Sequence, residues 1–380
     1  MARAGTRRPA TARRRRAALF ALCAVAGASF AAGVAMALGG EDARRAAVDR
    51  LSIRELAGQR IVIGLNGTRV PAGVRRMIRG GDAAGVILFA DNFPSRGRGR
   101  RLVEQLRSIP RPVARRDPLL VMTDQEGGLV KRIGGAPNAS AEEMGARGAA
   151  YSREQGRLTA GNLREVGVNV DLAPVLDVAR PGGEIENTDR GFASTADGVA
   201  DTAVPFARAM QRGGVAATAK HFPGFGAARE NTDFAVERIR LSKRTLRRVD
   251  EVPFGRFADA GGDLVMLSTA IYPAFSPKPA AFSRDIATGE LRARLGFRGV
   301  SVTDALGTVA TRAFGGPAKA GLAAAKSGVD MLLFSDHRPA ARAGRALRRR
   351  LRSRALDRAR FERSVARVLR LRHRLGPDHG

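Results

Sequence analysis

Eight short apolar runs, each closed by turn or polar residues and separated by stretches of helical character, constrain the fold of this chain more than any other feature. They fall at 60–65, 85–89, 119–124, 168–174, 215–222, 263–271, 299–306 and 329–334. Their Val/Ile/Leu-rich continuity is that of parallel strands buried on both faces, since a strand with one wet face alternates apolar and polar residues. The intervals hold helix-like stretches such as 98–108, 196–212 and 242–260, too long for hairpin loops. Strand followed by helix eight times over predicts an α/β fold, and its natural closure is a single (β/α)8 barrel of the TIM type. Such a barrel takes about 250 residues. The span 51–376 accommodates it, with no short-period repeat or low-complexity linker inside. Within 355–375, Val365, Val368, Leu369 and Leu371 recur near helical spacing among arginines, which predicts an amphipathic helix closing the barrel.

The segment ahead of the barrel has a different character. Residues 1–16 carry seven arginines and no acid, and 17–40 then run 24 residues without a charge. At roughly 1.5 Å per residue that run reaches about 36 Å, enough to cross a bilayer. It reads as a signal peptide or a membrane anchor. Ala35-Met36-Ala37 offers a cleavage site, so both fates stay open. The preceding arginines keep the N-terminus cytoplasmic and put the remainder outside the membrane, membrane-anchored or secreted. Residues 41–50 read as a polar spacer and 377–380 as a tail. Cys23, the one cysteine, lies in the apolar run, which gives the barrel neither a disulfide nor a cysteine metal site. The four histidines, at 221, 337, 373 and 379, show no metal-ligand spacing, and no cofactor is implied.

The net charge of +30 is unevenly spread, with seven arginines in the leader and fifteen between 338 and 380. With no Trp, two Tyr and no recognition module, nucleic acid is not the expected partner. What remains is arginine on solvated helix faces, or attraction to anionic envelope polymers or lipid headgroups.

In a β/α barrel the chemistry gathers at the C-terminal ends of the strands, so polar residues that abruptly end apolar runs are the site candidates. The third run ends in Thr123-Asp124-Gln125-Glu126-Gly127-Gly128, with Lys131 and Arg132 soon after. Two carboxylates and an amide there suit sugar hydroxyls, although a strand-end Asp alone is as often a helix cap. The fourth brings Asp171 and Asp177, which read better as structural hydrogen-bonders, and then Asn187, Asp189, Arg190, Gly191 and Phe192. The fifth ends in Lys220-His221-Phe222-Pro223-Gly224-Phe225-Gly226, followed by Asn231-Thr232-Asp233. The seventh ends in Thr303-Asp304, an acid whose burial is costly unless it is paired or faces a site.

These phrases resemble the bacterial β-N-acetylhexosaminidases of glycoside hydrolase family 3. Gly85-Val86-Ile87-Leu88-Phe89 with Asn92, Pro279-Ala280-Ala281-Phe282-Ser283 and the stretch from Leu291 to Phe297 extend the likeness across 51–376. The resemblance implies a retaining exo-β-glycosidase that removes N-acetylhexosamine from envelope glycans, with Asp304 as nucleophile. It further implies that Asp124, Arg132, Arg190, Lys220 and His221 bind the sugar. In one place the chain departs from the pattern. The family's commonest form has a His after the glycine of Lys-His-Phe-Pro-Gly and an Asp-Ser-His whose His is the acid/base; here stand Phe225 and Asn231-Thr232-Asp233. Asp233 occupies that His position and can do the same work if its pKa is raised, with Glu230 as second choice. Two further readings stay open: a catalytically silent barrel that only binds glycan, and a glycosidase or phosphorylase of other sugar specificity. The oligomeric state is not legible.

Overall fold

The computed structural model describes residues 1–2, 48–112 and 117–376. The chain divides into Met1–Arg50 and Leu51–Gly380. The expected leader, apolar segment and most of the spacer lie outside the described residues, as does the 377–380 tail, and the fold below is that of the second unit. No helix among the described residues is long and apolar enough to cross a membrane.

Eight strands form one parallel sheet: β1 (Ile61–Gly64), β2 (Gly85–Ile87), β3 (Leu120–Thr123), β4 (Val170–Asp171), β5 (Ala216–Phe222), β6 (Leu264–Leu267), β7 (Val300–Thr303) and β8 (Leu332–Phe334). Each pairs with its successor, and β1 pairs with β8, Ile61 opposite Leu332. A parallel bridge between Val302 and Met331, with the Thr303 N–H donating to the Met331 carbonyl at 3.0 Å, joins β7 to β8 and closes the ring. Every strand residue is buried, as continuous apolar runs require when helices cover one face and the barrel interior the other. The eight strands are followed in turn by helices Ala72–Arg79, Arg96–Arg107, Ala141–Glu165, Ala196–Arg212, Val252–Asp259, a π-helical Asp285–Arg294, Pro317–Ser327 and His337–Arg352.

Two elements differ from the sequence expectation. The fourth strand shrinks from 168–174 to two residues. Leu172 still donates to Thr123 at 2.8 Å, but Pro174 has no N–H to continue the ladder. The helix expected at 242–260 is instead a turn of helix at Lys243–Thr245, a π-helical Leu246–Asp250 and a fresh helix at Val252–Asp259, with Pro253 in the first turn where its missing N–H costs nothing.

The C-terminal helix Arg358–Arg374 buries Phe361, Val365, Val368 and Leu371, with Leu369 half-buried. Val368 and Leu371 join Val62, Leu120, Val170, Leu264 and Val300 in one apolar cluster that fills the lower barrel. Arg372, 1% exposed, donates to the carbonyls of Pro118 at 2.9 Å and Asp117 at 2.7 Å, on the chain entering β3. The helix thereby plugs the end where the strands begin. The end where they finish stays open, and there the strand-terminal acids collect.

Candidate active site

The open end holds a cavity of about 170 Å³. All seven residues named from sequence line it: Asp124, Arg132, Arg190, Lys220, His221, Asp233 and Asp304. Asp124 is the first residue beyond β3. The chain then makes a small hairpin, Gln125–Gly127 against Val130–Lys131, that delivers Arg132. Gly127 permits the turn: at φ +102° an added Cβ would lie 2.1 Å from the Ala139 carbonyl oxygen. Gln125 is not a sugar ligand as its place suggested. Its side chain turns into the hairpin, donating to Ile133 at 2.7 Å and Ala136 at 2.9 Å and accepting from Arg132 and Ile133.

Beneath the cavity lies a buried ionic network. The Lys220 ammonium, 3% exposed, sits 2.8 Å from Asp124 and 2.7 Å from Glu126. Arg190 grips Glu126 with two bonds of 2.8 and 2.9 Å and reaches Glu184 at 3.3 Å. Burial alone would raise the Glu126 pKa, but Arg190 and Lys220 outweigh it and hold the carboxyl well below the usual range. Burial would likewise lower Lys220, and the carboxylates of Asp124 and Glu126 carry it above its ordinary value. Both groups therefore stay charged, each by virtue of the other. Glu126, one of the two carboxylates the sequence offered for sugar hydroxyls, lines the cavity and is at the same time the counter-ion of Arg190 and Lys220. The Asp-x-Glu spacing was visible, but nothing in it showed that pairing.

Asp171 and Asp177 do structural work of different kinds. Asp171 is fully buried and accepts the Gln125 N–H at 2.9 Å through one oxygen, while the other has no partner. Burial pushes its carboxyl up to about 8, helped by the charges of Asp124 and Glu126, so it is neutral at pH 7. Asp177 accepts the N–H groups of His221 at 3.0 Å and Phe225 at 2.6 Å, and its second oxygen lies 2.7 Å from His221 Nδ1. That bond assigns the proton to Nδ1 and leaves Nε2 for the cavity. Lys220 and His221 are neighbours that both line the cavity; the peptide between them is cis, and pairing to β6 changes register here. The turn beyond is fixed by Gly224 at φ +125°, whose added Cβ would stand 2.5 Å from the Asp250 Cβ, and by the Tyr272 hydroxyl donating to the Gly224 carbonyl at 2.9 Å. Phe225 then lays its ring against His221, centroids 5.6 Å apart, where it too lines the cavity.

The two remaining acids line the same cavity. Asp304 stays in the sheet ladder, its N–H donating to Leu267 at 3.0 Å, and one carboxyl oxygen accepts the Ala305 N–H at 2.7 Å. Asp233 lies on the loop after β5, where it is exposed and lines the cavity. Partial withdrawal from water, and then the negative charges of Asp304 and Asp124, push it up to about 6, against the opposing pull of His221 and Arg190. The loop is fastened. Asp233 donates its N–H to the Asn231 side chain at 2.9 Å, Asn231 donates to Glu184 at 3.2 Å, and the Val309 N–H, beyond β7, donates to the Asp233 carbonyl at 3.2 Å. Glu230 does not line the cavity; it is exposed, and its N–H meets Glu237 at 3.1 Å.

A closed parallel barrel with a cluster of carboxylates, an ammonium and guanidinium groups at its C-terminal mouth is the architecture of a β/α-barrel enzyme, with its polar groups where such enzymes do their chemistry. The N-terminal domain of glycosyl hydrolase family 3 matches residues 52–371, and the chain belongs to that family. A beta-hexosaminidase of Thioalkalivibrio sulfidiphilus is 35% identical over 329 residues, 84% of this chain and 90% of that protein. An uncharacterized secreted glycosyl hydrolase of Arthroderma benhamiae is 37% identical over 287 residues, 73% and 81% of the two chains. Among solved structures, a family 3 β-N-acetylglucosaminidase from a Paenibacillus species superposes with a TM-score of 0.82 at 32% identity, covering 87% of this chain; the chain spans 64% of that protein's length. A β-N-acetylhexosaminidase from Beutenbergia cavernae gives 0.78 at 30% identity, covering 85% of this chain and 99% of that one.

Proposed function

We propose that this glycosidase is a retaining exo-β-N-acetylhexosaminidase in which Asp304 is the nucleophile and Asp233 the acid/base. One observation carries the reading: Asp304 and Asp233 line the same cavity, and Asp233 is pushed up to about 6 in part by the charge of Asp304. In the first step an Asp304 oxygen bonds to the anomeric carbon, the bond from that carbon to the glycosidic oxygen breaks, and the Asp233 proton passes to the departing oxygen. Asp304 is then an ester without charge. Asp233 loses the repulsion that kept it protonated, its pKa falls, and it becomes the base that takes a proton from water as water displaces Asp304. Asp124, Lys220 and His221 supply charged or oriented partners for the sugar hydroxyls, joined by Arg132 at 3.9 Å from Asp124 and by Arg190. At about 170 Å³ the cavity is small against the roughly 300–1,000 Å³ of drug-sized sites, which favours one terminal sugar over an internal stretch of polymer.

The names of the relatives support N-acetylhexosamine as the sugar. The basic leader, the uncharged run 17–40 and a relative named as secreted support work outside the cytoplasmic membrane on envelope glycan. The test is an assay of residues 51–376 on nitrophenyl β-glycosides of several sugars. Release from the N-acetylglucosaminide above all others is expected. Binding of N-acetylglucosamine with no hydrolysis of any of them would make the chain a silent glycan-binding barrel.

A further inference from the structure

Three neighbouring helices of the outer ring contain no Asp or Glu: Pro317–Ser327 after β7, His337–Arg352 after β8 and Ala72–Arg79 after β1. They adjoin because β8 lies between β7 and β1. Glycines bring them close: Gly73 lies against the His337 ring, and an added Cβ on Gly321 would stand 3.3 Å from the Ala343 Cβ. Together the three helices carry ten arginines and two lysines. Each of the other five outer helices includes at least one acid, so a general abundance of arginine does not account for this side. Arg348 pairs with Asp82 at 2.7 Å. The other eleven cations are exposed, and among the described residues none of them has an ion-pair partner. The flanking acids are engaged, Asp82 by Arg54 and Arg348, and Asp336 as the cap that accepts the Arg338 N–H at 2.6 Å.

The middle helix sets the pattern. Arg338, Arg342, Arg345, Arg349 and Arg352 recur every three or four residues, so they form one stripe, about 21 Å long, on the face opposite the buried Ala343, Leu347 and Leu351. Like charges at this spacing repel along a helix, so the stripe works against the fold that carries it. We propose that this side of the barrel is a docking face for an anionic phospholipid surface, holding the enzyme at a membrane whether or not the leader is retained. Shape favours a bilayer. The cations spread over the exteriors of three helices, and a sheet of phosphates meets them all where a single polymer strand follows one line. Place favours it too. The barrel's first helix, Ile53–Gly58, lies on this side, Arg54 sharing Asp82 with Arg348. Leu51 follows the uncharged run 17–40 by ten residues, which reach at most about 36 Å, so the barrel begins close to any membrane that holds that run. The attraction acts over about a Debye length, roughly 8 Å at physiological salt, which a face exposed along its whole length can close.

Residues 51–376 contain every strand, the helices that cover them and the C-terminal plug, a complete core, so this piece is tested free of the leader's own affinity for lipid. Co-sedimentation compares vesicles of phosphatidylcholine alone with vesicles of equimolar phosphatidylcholine and phosphatidylglycerol. Binding is expected to the mixed vesicles only, and it should weaken as salt rises. The triple variant Arg342→Gln, Arg345→Gln, Arg349→Gln keeps good helix formers and should bind about a hundredfold more weakly. Arg153→Gln, Arg208→Gln, Arg212→Gln makes the same change of charge on exposed positions of the helices after β3 and β4, and should leave binding nearly intact. Both variants should keep the parent's circular dichroism, which separates loss of binding from loss of fold. Equal losses in the two variants would reduce the effect to net charge and overturn a docking face. No binding to the mixed vesicles would overturn the membrane as its partner, as would binding of soluble inorganic polyphosphate alone, which would assign the stripe to a linear polymer.

Discussion

Lys220→Met removes the one cation shared by Asp124 and Glu126, and its cost can be worked from the geometry. The ammonium makes contacts of 2.8 and 2.7 Å with its side chain 3% exposed, Glu126 is equally buried and Asp124 is 15% exposed, so solvent screens little of the interaction. Methionine keeps the length of the stem and loses the charge. Deleting one partner of a buried pair typically costs about 3–5 kcal/mol, because the other charge is left uncompensated. Glu126 retains Arg190, so the burden falls on Asp124, whose remaining cation, Arg132, stands 3.9 Å away. Urea unfolding followed by far-ultraviolet circular dichroism, since the chain has no Trp, should show a loss of about 3–5 kcal/mol at pH 8. A loss below about 1 kcal/mol there would refute the view that Lys220 acts in the fold as a buried counter-ion of these two carboxylates.

Three other outcomes follow from the perturbed acids. Asp233→Ala should nearly abolish cleavage of disaccharides while sparing much of the first step on a nitrophenyl glycoside, whose departure needs little protonation, and azide should restore turnover. Equal losses on both substrates without rescue would assign the acid elsewhere. In the unmodified enzyme the basic limb of kcat/KM should lie near pH 6, where Asp233 gives up its proton; a limb beyond pH 8 would be inconsistent with that acid. Asp171 holds a proton up to about pH 8 in the fold and only to the ordinary 3.8 when unfolded, so it draws stability down as pH rises between them. Asp171→Asn, which cannot ionise, should gain on the parent in urea midpoint from pH 5 to pH 8, and an unchanged difference would show that Asp171 is ionised in the fold.

The barrel was legible because strands buried on both faces leave unbroken apolar runs, and Asp124 and Asp304 were legible because each ends such a run abruptly. The reach of Asp177 to His221 was not. The two are 44 residues apart in sequence, and their bond depends on how the loop after β4 folds back. The roles of Gln125 and Glu126 were hidden for a related reason. Sequence shows that polar groups gather at the mouth, but only the path of the hairpin decides which of them faces the cavity and which turns away.

Covalent trapping is the measurement on which the mechanism stands or falls. Incubating the barrel with a 5-fluoro glycosyl fluoride of N-acetylglucosamine slows both steps but lets the good leaving group go, so the glycosyl-enzyme accumulates. Proteolysis and mass spectrometry should then find one sugar on the peptide carrying Asp304, and Asp304→Asn should take up none. A sugar on any other carboxylate, or turnover with inversion and no adduct, would contradict a double displacement through Asp304.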